Sequence, residues 1–300
     1  MIFGGLDARL DEVPGTISVY AGPLGAPPTW TRHAEATHYA ASTMKLAVLA
    51  ALHRASETGG SSLDTPIEVT NCFTSARPDA APFSCARQYD NDGVVWERLG
   101  QQAPLWWLAE RMIVRSSNLA TNLLIEHVGL PAVAEIWARA GARHSVTGRG
   151  IEDFAAREAG ISNLVTAADL AALLGAVATG ATRAGPIASP AGCAAMLDVL
   201  CAQQIRQDIA EGLPAGTRLA HKNGWVRGVR HGAAVVFPDD NAPYLLVVCT
   251  TTPLGDDRRS EDVDVDSRQL VADISAQVWQ ARHDLTAART PPPAPRSPEC

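Results

Sequence analysis

The sequence predicts an α+β fold: an antiparallel sheet flanked by N- and C-terminal helices, with an all-helical lobe inserted between its strands. Three observations predict it. β-Rich runs of alternating character lie near both ends of the chain. Helical apolar spacing fills the stretch between them. A closing amphipathic segment returns at the C-terminal end, so the two ends share one layer. With 300 residues, 46% of them hydrophobic, the chain is long enough to bury such a core.

Each element follows from local chemistry. Residues 5–13 read as a short helix stopped by Pro14-Gly15. TISVYAG, 16–22, alternates and is β-branched, so it reads as a strand. The Pro-rich GPLGAPP makes a turn into a second strand, PTWTRHA. A helix follows, opened by Ser42 and carried by LAVLAAL. Residues 59–103 are rich in Gly, Pro, Ser and Asp and read as loop. LWWLAERMIV, SNLATNLLIEHVG, PAVAEIWARAG and TAADLAALLGAVATG all show helical spacing, and SPAGCAAMLDVLCAQQ continues the block. After Gly216 the character changes. TRLAHKNGW, VRHGAAVVFPD and APYLLVVCTTT are three short strands, with Asp239, Asp240 and Asn241 at a turn. GDDRRSEDVDVD reads as a solvated loop. Leu270, Val271, Ile274, Val278 and Trp279 mark the closing helix. RTPPPAPRSPEC cannot build a core. The organisation expected is one domain over 1–283, followed by a disordered Pro-rich tail at 284–300. Its α/β lobe is 1–58 with 213–283, and its helical lobe is 59–212.

Composition narrows the function. The formal charge of −7 comes without a Lys/Arg-rich patch, which argues against a nucleic-acid partner. No apolar run approaches membrane-spanning length, so no membrane association is expected. The N-terminal residues lack the features of a secretory signal, and the expected location is cytoplasmic. Six cysteines fall at 72, 85, 193, 201, 249 and 300, with no C-x-x-C pair and no zinc spacing. No metal and no cofactor are expected. Cys72 and Cys85 flank a Pro-rich loop; they either pair or remain free thiols. Two cleft-forming lobes are compatible with a monomer acting on a small molecule.

The chemistry starts at ASTMK. On a helix Ser42 and Lys45 share a face, so the amine reaches the hydroxyl. A lysine at a helix N-terminus, if also desolvated, loses its proton readily and can activate the serine. A Ser-x-x-Lys arises by chance roughly once in a chain of this size, and serine is a favoured helix cap. The motif gains weight from two others. RSSNLATNLL carries Ser116-Ser117-Asn118 at the mouth of a helix, and AHKNGWVRG carries Lys222-Asn223-Gly224 at the end of a strand. The order S-x-x-K, S-x-N, K-x-G resembles the signature set of the serine β-lactamase and penicillin-binding superfamily, the class A-like serine hydrolases most closely. The resemblance spans roughly residues 14–280, and the discontinuous architecture is similar to that β-lactamase/transpeptidase-like fold.

The resemblance implies roles. Ser42 is the acylated nucleophile and Lys45 its base. Ser116 carries a proton to the leaving group. Asn118 holds the substrate amide or the lysine. Lys222 supplies positive charge. The backbone N–H groups of Ser42 and Trp225 form an oxyanion hole. Asn223 and Gly224 line the strand edge, Arg230 contacts a substrate anion, and His231 is structural. Several positions depart from the family pattern. S-D-N is S-S-N here, and the hydroxyl of K-T-G is an amide, Asn223. Trp225 stands where a smaller side chain is usual, either narrowing the cleft and stacking on substrate or packing on the surface.

The family's deacylating glutamate has Glu152 as its candidate, with Arg149 as a possible ion-pair partner and Asp153 and Glu158 as weaker ones. Ala156 replaces the expected asparagine, unless Asn163 folds back to supply the amide. The 72–96 segment, with QYDNDG, is longer than in compact relatives and forms either a lid or surface decoration. The function expected is acyl-enzyme formation on an amide or ester, with β-lactam hydrolysis within its range. A cytoplasmic esterase, amidase or acyltransferase and a non-turnover penicillin-binding sensor or sink are the alternatives.

Overall fold

The computed structural model describes residues 3–253 and 263–287. In chain order the first elements are α1 (Gly4–Asp11), β1 (Thr16–Pro23), β2 (Trp30–Arg32) and β3 (His38–Tyr39). A 3-10 turn, Ala41–Met44, runs directly into α2 (Lys45–Glu57). Then come β4 (Pro66–Glu68), α3 (Gly93–Trp96), β5 (Gln102–Pro104), α4 (Leu105–Val114), α5 (Asn118–Val128) and α6 (Leu130–Arg139). β6 (Val146–Thr147), α7 (Phe154–Glu158), β7 (Asn163–Val165), α8 (Ala167–Gly180) and α9 (Pro190–Cys201) complete the middle. A second 3-10 turn, Asp208–Gly212, leads into β8 (Arg218–Val226), β9 (Val229–Phe237) and β10 (Tyr244–Thr251). The chain closes with α10 (Val263–Gln280) and α11 (Arg282–Thr286).

The main sheet has five strands in the order β2-β1-β10-β9-β8. β1 pairs antiparallel with β10 from Thr16↔Thr251 to Pro23↔Tyr244, so the first and last strands are neighbours. Side chains on a strand alternate between faces, and this sheet divides two cores. Ala220, Ala233, Val235, Leu245 and Val247 face the helical lobe. Leu219, Ala234, Val236, Leu246 and Val248 face α1 and α10, meeting Leu6, Leu10, Val271, Ile274 and Val278. β8 is the sheet edge, and it borders the cleft.

The α+β architecture agrees with the sequence reading, and some details differ. α2 was assigned to the α/β lobe, but Leu46, Val48, Leu49 and Leu52 are buried in the core of the helical lobe. Its apolar residues run around more than one face, so the helix needs partners on several sides. Positions 284–286, expected in the tail, belong to α11: Leu285 is buried, and its carbonyl accepts from Thr29 Oγ1 at 2.7 Å. Residues 263–266 of the expected charged loop belong to α10. The rest of that loop and RTPPPAPRSPEC lie outside the described residues. Cys72 and Cys85 are both free thiols, one exposed and one buried, so the pairing left open by sequence is not made. Among the described residues no single helix is long and apolar enough to cross a membrane.

Candidate active site

Ser42 is not a helix cap. The 3-10 turn that holds it has Ala40 at its start and no side-chain cap. Lys45 then points down α2 into the interior and is fully buried. Its Nζ lies 2.8 Å from Ser116 O, 2.9 Å from Asn118 Oδ1 and 3.2 Å from Ser116 Oγ. Burial brings the amine down from 10.5 to about 7, with Asp90 and Cys85 pulling the other way.

Ser116 is not a cap either. Ser117 takes that role, accepting from Ala120 N at 3.1 Å. Ser116 sits just outside α5 with φ 59°, a left-handed conformation that a non-glycine residue adopts at a cost. That conformation aims its hydroxyl between two amines. Lys222 Nζ donates to Ser116 Oγ at 3.1 Å and to Asn223 O at 2.7 Å. Lys222 is fully buried on β8. Burial pushes it well below 10.5, and the nearby Lys45 adds to the effect. Two like charges sharing one hydroxyl in a dry pocket favour leaving at least one amine neutral.

Gly224 follows on the same strand. A Cβ there would stand 2.6 Å from Ser42 N and 2.9 Å from Thr43 N. The strand backbone therefore lies flat against the start of the 3-10 turn. Ser42 N–H and the peptide between Gly224 and Trp225 are brought side by side at the mouth of the cleft. Lys222 and Gly224 project to the helical-lobe side of the sheet, and Asn223 and Trp225 project to the other. This corrects the expectation for Asn223 and takes the packing alternative for Trp225. Asn223 does not line the cleft; its Nδ2 donates to Asp208 Oδ2 at 3.1 Å and Ile205 O at 3.4 Å. Trp225 packs under the Arg230 guanidinium, 5.2 Å from its ring centre.

Arg230 was expected to meet a substrate anion. It is fully buried and paired within the protein, its Nε 2.5 Å from Asp208 Oδ1 and its Nη2 2.9 Å from Gln207 Oε1. His231 holds backbone together, as expected of a structural histidine: Nε2 donates to Tyr39 O at 2.8 Å and Nδ1 accepts from Thr250 N at 3.1 Å.

Glu152 lies on the 148–153 loop with φ 67°. Its Oε2 accepts from Ala86 N at 2.9 Å, and its Oε1 is buried without a hydrogen-bond partner. Burial raises its pKa above 4.5, against the Ala86 N–H. Arg149 does not pair with it; that guanidinium bonds Ile161 O, Gly150 O and Tyr39 Oη. Asn163 does not fold back towards it. Its amide is spent on Gly148 N, Arg149 N, Arg149 O and Met44 Sδ. Asp153 caps α7 and accepts from Ser75 Oγ and Ala76 N, and Glu158 is exposed.

Three participants were not singled out from sequence. Asn122 brackets Ile151, accepting from its N–H and donating to its carbonyl, both at 2.8 Å, and thereby ties the Glu152 loop to α5. Its signal was present: a polar residue four after Asn118, on the same helix face. Asp90, in QYDNDG, accepts from Ser117 Oγ, Leu119 N and Trp96 Nε1 at 2.9–3.1 Å. A loop carboxylate thus holds the mouth of α5, in a chain whose motif has serine where S-D-N has its own. Asp208 is the third. The 72–96 segment is a wall of the site: Tyr89 O accepts from Asn118 Nδ2 at 3.0 Å, and the buried Cys85 thiol accepts from Asn122 Nδ2 at 3.1 Å. Asp90→Ala is expected to cost at least about 2 kcal/mol, because it strips four donors, Asp92 N–H among them, of a charged acceptor. Urea unfolding of the variant against the parent measures it.

Among the described residues no cluster of His, Cys, Asp and Glu could hold a metal ion. The arrangement offers a serine at a backbone N–H pair, a buried amine of lowered basicity and a hydroxyl relay between two amines. Comparisons with known proteins bear on the fold and the family. No curated protein matches the chain by sequence. Among solved structures, a beta-lactamase from Sphaerobacter thermophilus superposes with TM-score 0.74 at 24% identity, covering 93% of this chain and 97% of the other. A class A beta-lactamase from Mycobacterium abscessus gives 0.75 at 21%, covering 94% and 99%. A leucine-to-glutamate mutant of PBP-A, solved as its acyl-enzyme complex with penicillin-G, gives 0.71 at 23%, covering 93% and 94%. At these identities the likeness shows the β-lactamase/transpeptidase fold. The profile of the Beta-lactamase enzyme family matches residues 5–282, nearly all of the described chain, and the chain belongs to that family.

Proposed function

We propose that the protein forms an acyl-enzyme on Ser42 with an amide or ester substrate. The observation that carries this reading is the buried Ser116 Oγ held at 3.2 and 3.1 Å from the buried amines of Lys45 and Lys222. In the proposed step, neutral Lys45 takes the Ser42 hydroxyl proton while Ser42 Oγ bonds to the carbonyl carbon. The carbonyl oxygen becomes an oxyanion, met by the N–H groups of Ser42 and Trp225. As the tetrahedral adduct collapses, the C–N or C–O bond breaks. The proton passes from Lys45 to Ser116 Oγ while Ser116 gives its own to the leaving group, so the relay ends as it began. Lys222 holds Ser116 Oγ in place throughout. Asn118 ties Lys45 to the Tyr89 wall, and Gly224 keeps the strand close.

A specific observation favours slow release of the acyl group. Glu152 is docked on Ala86 N–H, with one carboxylate oxygen spent there. Asn163, the amide that would help it hold a water, is committed to Gly148 N, Arg149 N and Arg149 O. On this reading the protein is acylated readily and hydrolyses its adduct slowly, or passes the acyl group to another acceptor.

Intact-mass spectrometry over time tests both parts, with penicillin-G and p-nitrophenyl acetate as probes. The expected result is a lasting adduct from at least one probe, absent in Ser42→Ala. An adduct retained by Ser42→Ala would overturn the nucleophile. Glu152→Gln is expected to change adduct lifetime by less than about threefold, since a general base supplies on the order of 10²–10⁴. A lifetime extended more than about tenfold would make Glu152 the deacylation base.

A further inference from the structure

We propose that His38 and His231 are positioning residues: paired on the helical-lobe face of the main sheet, they hold residues 38–43 across its strands so that the Ser42 N–H stands beside the Gly224–Trp225 peptide. The inference rests on the reading that Ser42 is acylated.

Strand register puts the parts in one row. Gly224 of β8 pairs with His231 of β9, His231 with Cys249 of β10, and Cys249 with Ser18 of β1. Partners across a sheet share a face, so all four lie on the face that carries Lys222. Residues 38–43 touch this row along its length. At one end His38 Nε2 is 2.8 Å from Ser18 Oγ. In the middle His231 Nε2 is 2.8 Å from Tyr39 O. At the other end Ser42 N sits where a Cβ on Gly224 would come within 2.6 Å of it. The two imidazoles meet edge to face, their centres 5.5 Å apart. Between the Tyr39 and Ser42 anchors, Ala41 has φ 44°, a left-handed backbone that persists where its surroundings demand it. β7 holds the segment from its other side, through Tyr39↔Leu164 and through Asn163 O, which accepts from Ala40 N at 2.9 Å.

Hydrogen bonding fixes the form of both rings. Ser18 Oγ donates to His33 O at 2.8 Å, so His38 Nε2 is the donor to Ser18, and its Nδ1 accepts from Thr251 Oγ1 at 2.7 Å. His231 Nε2 donates to Tyr39 O, and its Nδ1 accepts from Thr250 N at 3.1 Å. Each ring is therefore neutral, with its proton on Nε2. A second proton on His231 would set N–H against the Thr250 N–H. The surroundings favour the neutral form. Burial brings His38 from 6.5 down to about 4, and His231 adds to the fall. Burial lowers His231 as well, against its backbone bonds. The titratable groups nearby are themselves held. Cys249 in the row stays a thiol, pushed up by burial, and Lys222 on the same face is pushed down. Arg149 donates to Tyr39 Oη, Arg230 on the opposite face pairs with Asp208, and Glu35 before β3 is exposed and faces His144 at 3.6 Å.

Two substitutions at position 231 separate positioning from general support. Glutamine carries an amide N–H out to the place of Nε2 and can still donate to Tyr39 O. Asparagine sets its oxygen near the place of Nδ1 and keeps only the Thr250 bond. Acylation by penicillin-G and p-nitrophenyl acetate, followed by intact mass, compares them. His231→Asn is expected to acylate about 10–10²-fold more slowly than the parent, the loss that goes with a displacement of about 1 Å. His231→Gln is expected to stay within about threefold of the parent. The reverse order, or equal rates in the two variants, would overturn the proposal. The parent alone supplies a second readout. Nitrogen NMR of the imidazoles at about pH 6 is expected to show His38 and His231 neutral, with the proton on Nε2. A charged His231 under those conditions counts against the pair. If neither probe acylates the parent, the acyl-enzyme reading fails, and the backbone amide resonance of Ser42 still decides this inference. That resonance is expected to move in His231→Asn and hold its place in His231→Gln; an unmoved Ser42 amide in His231→Asn sinks the positioning role.

Discussion

Methionine in place of Lys45 lowers the rate of Ser42 acylation by about 10²–10⁴-fold, the range expected for loss of a positioned base. Methionine fills the buried channel with a side chain of similar length and no amine, so the loss reports proton transfer more than packing. The parent's pH profile gives the complementary signature. Only the neutral amine can accept the Ser42 proton. Burial brings Lys45 to about 7, so the acylation rate rises with pH through about 7 and levels off above it. Below that point it falls about tenfold per pH unit, as the neutral fraction does. An ordinary lysine near 10.5 would instead leave the rate climbing across the whole neutral range. A profile flat between about pH 5 and 9 would remove Lys45 from the mechanism.

Alanine at position 224 has an effect of similar size by a different route. The added Cβ would meet Ser42 N at 2.6 Å and Thr43 N at 2.9 Å. Both are backbone atoms, so no side chain can swing aside. The strand and the 3-10 turn must part, and the two N–H groups proposed to hold the oxyanion part with them. The expected loss in acylation is about 10²–10³-fold, that of a removed oxyanion donor. Both intact mass and Tm belong to this test. Acylation unaffected in a folded Gly224→Ala would mean that the carbonyl of the substrate is held elsewhere.

The α+β architecture and the four serines and lysines of the motifs were legible because their signals are local. Apolar spacing marks helices within a dozen residues, and Ser42, Lys45, Ser116 and Lys222 announce themselves by short spacings. Asn223, Trp225 and Arg230 were placed in the cleft by resemblance, whereas the period of two along β8 sorts Asn223 and Trp225 away from Lys222 and Gly224. That physical signal was in the sequence and outranks the motif. Asp90 and Asp208 were not legible. Asp90 is tied to the mouth of α5 through Leu119 N–H, and Asp208 to Arg230 and Asn223, so the deciding partners of both lie beyond the reach of local pattern. Nothing local distinguishes either from the aspartates around it. Glu152 shows the complementary limit. Its position along the chain was readable, but the hydrogen bond to Ala86 that fixes its direction depends on how the 72–96 segment closes over it.

The pairing of β1 with β10 has a consequence for how the protein is made. The central neighbour of the first strand is the last strand, and β8 and β9 reach β1 only through it. Such distant pairing closes a very long loop before any contact rewards it, which slows folding. During synthesis the helical segments can begin to collapse on local contacts while β1 waits for its partner to leave the ribosome. Lys222 and Gly224 arrive with that last section. Ser42 is therefore present in the nascent chain long before its strand wall and the second amine. The chemistry proposed for it therefore requires a nearly complete chain, and a truncated product would carry the serine without its proposed partners.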